Sequence, residues 1–258
     1  LPVIYTVHIL RSHFILLSAA WFCMPAALAF DLNEQPNPQN AQDAQNAQAA
    51  ERQQSLHGNI IQESLSSTFA PDNLNLIIKS CDQADDADLL FQKNSIKRGL
   101  SYIEREQKKA LNAAYAADRN PAYRFTTLKH FGYMLRASQD FYSNSNYVEL
   151  QVERLTNKFG NNNFDPYTID LVDWNHVGTS QNSALSEAGK LKNNARQGQE
   201  TIGQSTYYKT ARELALRETA RQWDVFSTLI KSRYPSRAQF IITALKEASV
   251  PEQEAEFF

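Results

Sequence analysis

Apolar residues recur at intervals of three and four from Leu56 onward, and alternation with a period of two is nearly absent. Ile96, Leu100, Ile103, Ala110, Leu111, Ala114 and Tyr115 mark one face of a helix that Asn94-Ser95 can cap. Asn120-Pro121 ends that segment and opens the next, since proline is tolerated in a first helical turn. Phe125, Leu128, Phe131, Leu135 and Ser138 then line a helix running to about Phe141. The same spacing carries Tyr208, Ala211, Ala215, Phe226, Leu229 and Ile230 along Ser205 to Tyr234, with Glu213 and Arg217 four apart as an exposed pair. Pro235 stops that helix, and Arg237 to Ala248 make a last short one. Residues 161–206 are rich in Asn, Gln, Ser and Gly and read as a long loop layer. The pattern predicts a single all-α domain over 56–249 with a tail at 250–258.

Two segments precede that domain. Arg11 is followed by an apolar run from Phe14 to Ala29 that ends in Ala27-Leu28-Ala29, the small-x-small pattern of a cleavage site. The run is short for a membrane span, contains Pro25, and is followed by Asp31 and Glu34 instead of a basic flank. Residues 1–29 therefore read as a signal peptide, which makes the mature chain secreted or periplasmic and leaves it no transmembrane span. Residues 30–55 are a Gln/Asn/Ala-rich linker, with too few bulky apolar groups to offset the entropy of ordering. Cleavage leaves Cys81 as the only cysteine, so no intramolecular disulfide is expected.

The 258 residues carry 26 basic and 28 acidic side chains, a net charge of -2, which disfavours a nucleic-acid partner held through its phosphates. Eight glycines leave little room for phosphate-cradling loops, and no nucleotide-binding loop, Gly-x-Ser-x-Gly elbow or Cys-x-x-Cys pair occurs. Cys81 precedes the acidic stretch Asp82 to Asp88, which opposes a thiolate; that stretch lacks the spacing and glycine of a calcium loop and reads as a solvated connection.

The informative segment runs from His130 to Leu150. Arg136, Asp140 and Asn144 are four apart and share one face of a continuous helix. Asp140 stands among apolar residues and needs a partner. Ser143-Asn144-Ser145-Asn146 is a natural helix end, because such side chains satisfy backbone groups that have lost their helical partners.

Gly132, Asp140, Phe141, Tyr142, Ser145, Asn146, Glu149 and Leu150 together resemble the central motif of the HetC (heterokaryon incompatibility)-like domains, relatives of the zinc phospholipase C and P1 nuclease group. His57-Gly58-Asn59-Ile60 is similar to the start of those domains, and Ala211, Leu214, Ala215, Thr219 and Trp223 are similar to their late helix. The resemblance implies an all-α domain of zinc phospholipase C and P1 nuclease type, a zinc cluster and phosphoester hydrolysis. It also exposes departures. The two motif histidines fall at Arg136 and Asn144, while Asp140 is kept. By the same resemblance His57 matches an amino-terminal ligand, Asp82 or Asp85 matches an aspartate after the second helix, and the histidine expected near Leu90-Phe91 is missing. Beyond the signal peptide only His57, His130 and His176 remain, too few for a three-zinc cluster.

A guanidinium stays protonated and cannot ligate zinc. The expectation is a degenerate metal site in which Arg136 pairs with Asp140 and Asn144 adds a neutral hydrogen bond; the plainer alternative points Arg136 to solvent and lets Asp140 cap a neighbouring helix. Arg136, Asp140, Asn144, Asn146 and Glu149 are then binding residues, no cofactor is expected, and the domain acts by binding a lipid surface or a protein partner. The alternative function is a zinc-dependent phospholipase C or phosphodiesterase, acting on phospholipid or nucleic acid. Its reduced site comprises His57, Asp82 or Asp85, Asp140 and Glu149. A structural module sharing only the fold is the third reading. His130 reads as a packed histidine, Trp174-Asn175-His176 as a surface loop anchored by its tryptophan, and Tyr102, Tyr115, Tyr207, Tyr208 and Phe226 as core.

Overall fold

A computed structural model of the chain describes residues 56–84, 91, 96–159, 165–177 and 199–248. Helix accounts for 76% of this part, and strand among the described residues is confined to a hairpin of two-residue strands, so the all-α expectation holds. The order is α1 (56–65), α2 (Pro71–Asp82), α3 (Ile96–Ala114), α4 (Pro121–Asn144), α5 (Tyr147–Phe159) and a 3-10 turn at Pro166–Thr168. Then come the hairpin strands β1 (Thr201–Ile202) and β2 (Ser205–Thr206), α6 (Tyr207–Arg233) and α7 (Ala238–Glu247). The expected signal peptide, linker, tail and Asn94-Ser95 cap lie outside the described residues.

The centre of the bundle is α4. It begins where the Asn120 side chain accepts from the Ala122 amide at 2.9 Å, with Pro121 at a position that needs no amide. From Phe131 to Tyr142 every residue except Tyr133 is buried, so this stretch has no polar face. It packs against α2, α3 and α6. Phe131, Trp223 and Phe226 meet at ring-centroid distances of 5.4–6.2 Å, and Phe69 closes on Trp223 at 4.6 Å. The helix runs to Asn144, three residues past the expected end. Ser145 stops it: its amide and hydroxyl both donate to the Phe141 carbonyl, and its hydroxyl oxygen accepts from the Tyr147 amide that starts α5.

Gly132 sets the approach of α2 to α4. A Cβ there would lie 2.6 Å from the Ile77 carbonyl oxygen and 2.8 Å from Ser80 Cβ, so only glycine fits. At the other end of α2, Asn73 donates from its amide to the carbonyls of Leu245 and Ala248, which fastens α7.

The α3–α4 contact is tied by a buried acid. Glu106 receives His130 Nδ1 at 2.7 Å, Arg105 Nε at 2.8 Å and Lys109 Nζ at 3.0 Å. Burial alone would raise its carboxyl, but these donors outweigh burial and bring it from 4.5 down to about 2. His130 is thus a packed histidine, as its position on the helix suggests.

Two expectations fail here. Tyr115 and Tyr208 are 44% and 39% exposed, while Tyr102, Tyr207 and Phe226 are buried as expected. Tyr115 follows the last residue of α3 on that helix's solvent side, where apolar spacing still counts it. Arg217 donates to the Ile169 carbonyl rather than pairing with Glu213. The loop layer at 161–206 holds the 3-10 turn and the hairpin, and α5 precedes it without having been foreseen.

Two outcomes follow from this packing. Gly132→Ala should destabilise the fold by about 1–3 kcal/mol in chemical denaturation, because its methyl meets backbone that cannot retreat. A carboxyl held below its unfolded value stabilises the fold above that value, and the contribution is lost as pH falls toward the folded one. Thermal stability should therefore decline between pH 4.5 and about 2, and Glu106→Gln should be less stable at neutral pH and show a shallower decline.

Candidate functional site

The first turn of α1, the last turn of α2 and the C-terminal third of α4 come together around Asp140. Arg136 Nε donates to Asp140 Oδ2 at 3.0 Å, one helical turn away, and His57 Nε2 lies 3.3 Å from Asp140 Oδ1. All three are buried: Arg136 is 4% exposed, Asp140 2% and His57 5%. The alternative of a solvent-facing Arg136 is excluded. Gly58 lets α1 reach the end of α2, since a Cβ there would stand 3.0 Å from Ile78 Cγ2 and 3.8 Å from Asp82 Oδ2.

A directional chain of hydrogen bonds orients the imidazole. The Thr219 hydroxyl donates to the Ala215 carbonyl at 2.8 Å, so its oxygen accepts the Gln139 amide at 3.0 Å. Gln139 Oε1 then faces His57 Nδ1 at 2.7 Å and requires a proton there. His57 Nε2 faces the Asp140 carboxylate on the other side of the ring. With α6 supplying Thr219, four helices contribute to the cluster.

Two more α2 groups feel the charges. Burial pushes the Asp82 carboxyl up, and the nearby His57 and Arg136 partly offset it. Asp82 Oδ1 is buried without a hydrogen-bond partner. Burial also pushes the Cys81 thiol well above its ordinary value; Arg136 opposes this, and Asp82 and Asp140 add to it. A nucleophilic thiolate is therefore not available at Cys81.

His57, Asp82, Arg136 and Asp140 thus come together. Asp85 lies outside the described residues. Asn144 does not supply the expected neutral hydrogen bond: α4 ends at that residue, it is half-buried, and it does not reach the Asp140 carboxylate. Asn146, whose carbonyl receives the Leu150 amide, and Glu149 in the first turn of α5 do not reach that carboxylate either. The partners that complete it, His57 and Gln139, were a presumed ligand and an unremarked residue. Gln139 could have been noticed as an amide beside Asp140 in a stretch with no polar face.

Zinc does not fit this donor set. Both oxygens of Asp140 are engaged by nitrogens, and Arg136 brings a fixed positive charge with no lone pair. Among the described residues no three His, Cys, Asp or Glu side chains are gathered to hold a metal ion.

No family model, curated protein or solved structure matches this chain.

A third buried acid, also missed in the sequence, lies on α6. Glu218 is fully buried and receives Tyr142 Oη at 2.9 Å, Trp174 Nε1 at 2.8 Å, Gln222 Nε2 at 2.6 Å and the Arg221 guanidinium. Arg221 also donates to the Val172 carbonyl, and the Val172 amide donates to the Tyr142 hydroxyl oxygen. Burial, reinforced by Glu218, pushes the Tyr142 phenol well above its ordinary value. With every donor coming from the fold itself, Glu218 clamps residues 165–177 onto α4 and α6. Trp174 is the anchor expected of its loop, whereas His176 pairs with Asp173 on the surface.

Truncating Arg136 to Ala leaves Asp140 buried against one remaining partner, and should cost about 3–5 kcal/mol in urea denaturation. Arg136→Met combined with Asp140→Leu should recover most of that loss, as replacing a whole buried pair by apolar groups often does.

Proposed function

We propose that this chain carries a HetC-like helical scaffold, related to the zinc phospholipase C and P1 nuclease group, in which an ion pair stands where those relatives hold metal. On this reading it is exported, to a secreted or periplasmic location, and acts by binding a lipid surface or a protein partner. One observation carries the proposal: the Arg136 guanidinium is buried on the Asp140 carboxylate, with His57 on the other oxygen. A metal-activated water needs an open coordination position and donors with free lone pairs. Here Arg136 Nε and His57 Nε2 stand against the two carboxylate oxygens.

The alternative is a metal-dependent phosphoester hydrolase with a reduced site. The observation in its favour is Asp82, whose buried Oδ1 has no hydrogen-bond partner beside His57. It also requires Arg136 to leave a carboxylate that cannot stay buried alone.

Elemental analysis of the purified protein tests the choice. Zinc should be far below one per chain, with no chelator-sensitive hydrolysis of phosphodiester or phospholipid substrates. Near-stoichiometric zinc together with chelator-sensitive turnover would overturn the proposal. The double substitution Arg136→His and Asn144→His should raise zinc uptake, and no rise at all in a folded variant counts against the degenerate-site idea.

A further inference from the structure

The exposed residues of α3 are charged almost throughout. Lys97, Arg98, Arg105, Lys108 and Lys109 all face solvent. At 100° per residue they fall within an arc of about 120°, along a helix about 28 Å long. Ile96, Tyr102, Ile103, Ala110, Ala113 and Ala114 bury the opposite side. The acids on this element are Glu104, exposed at the edge of the arc, and Glu106, buried beneath it and already neutralised by Arg105, Lys109 and His130. Among the described residues Lys97, Arg98 and Lys108 make no ion pair, whereas Arg105 and Lys109 pair with Glu106. The chain as a whole is net negative, so α3 concentrates positive charge against the average of the molecule. Where α3 ends, Tyr115 and Tyr123 are exposed and packed edge to face at 5.2 Å.

We infer that the outer face of α3 is a docking surface for an anionic lipid bilayer, read through its headgroup charge. The inference rests on the binding function proposed above and selects the lipid surface as the partner. Charge complementarity carries it. A straight cationic ridge on a convex helix suits a flat negative surface, to which each Lys or Arg close by adds attraction. Tyrosines at one end match the amphipathic level of the headgroups. The arc has no aliphatic stripe, so the helix lies on the headgroups without inserting. A nucleic-acid duplex offers the same charge on a curved groove instead of a flat surface, and is the competing occupant that the test separates.

The test is co-sedimentation with vesicles of phosphatidylcholine alone or mixed with phosphatidylserine, at about 0.05 M and about 0.5 M salt. The protein should bind the phosphatidylserine vesicles at low salt, release at high salt, and ignore pure phosphatidylcholine. The triple variant K97Q/R98Q/K108Q should keep its thermal midpoint, since none of the three makes an ion pair, and should bind about a hundredfold more weakly, at about fivefold per cation. Wild-type binding that the variant retains overturns the α3 surface while leaving a lipid-binding function standing. No binding to either vesicle overturns this inference and removes the lipid arm of the proposed function. Binding to a duplex oligonucleotide with none to vesicles overturns it in favour of nucleic acid.

Discussion

A carboxylate taken out of water costs several kcal/mol unless cations and hydrogen-bond donors replace the water. Among the described residues the bundle buries three, Glu106, Asp140 and Glu218, and their partners determine which helices must stay together. Asp140 requires Arg136 from its own helix and His57 from α1; Glu106 requires His130 from α4; Glu218 requires Tyr142 from α4 and Trp174 from the loop at 165–177. α4 thus has a hand in all three. This explains why a helix with no polar face over most of its length carries Arg136, Gln139 and Asp140 in its deepest part. Gly132, which must face α2, and the hydrogen bonds of these three acids together fix the rotation of α4 about its axis.

How much of this was legible depended on whether the relevant spacing was local. α3 is a half-buried helix, so its apolar positions stood out, and Asn120-Pro121 marked the next start to the residue. The Arg136–Asp140 pair was readable because both residues lie on one helix, four apart. Whether that pair faced inward was not, because periodicity vanishes where every position is buried. His57 and Gln139 are 82 residues apart, and Glu218 lies 76 from Tyr142 and 44 from Trp174. No window along the chain brings such groups together. Asn144 misled for the opposite reason: its spacing was right, but Ser145 ends the helix there and Asp140 was already taken by His57.

The interior and the surface handle charge differently. Inside, each buried acid is matched by cations or neutral donors, Asp140 by Arg136 and His57, Glu106 by Arg105, Lys109 and His130, and Glu218 by Tyr142, Trp174, Gln222 and Arg221. Outside, α3 leaves Lys97, Arg98 and Lys108 unneutralised while Arg105 and Lys109 lean back to Glu106. Because the latter two serve the interior, their loss would mix a folding defect with a surface effect. The other three can be changed without touching the bundle, and this separates a question about binding from one about stability.

On the proposed reading, replacing a metal by a guanidinium is not a gradual change. A site that has lost its ion but not gained the arginine leaves the Asp140 carboxylate buried with one of its two described partners, His57, and breaking a buried pair in this way costs about 3–5 kcal/mol. That is a large share of the ~5–15 kcal/mol that holds a domain of this size together. Once Arg136 is present the cost reverses, because removing it exposes the same acid again. The guanidinium is planar, permanently charged and rich in donors, so it restores the structural part of a cation's role and none of its Lewis acidity. A scaffold stabilised in this way keeps its shape whatever its centre no longer does. Selection for a continuing function would then act on what remains accessible, which on this molecule is the outer surface of its helices and not the core they enclose.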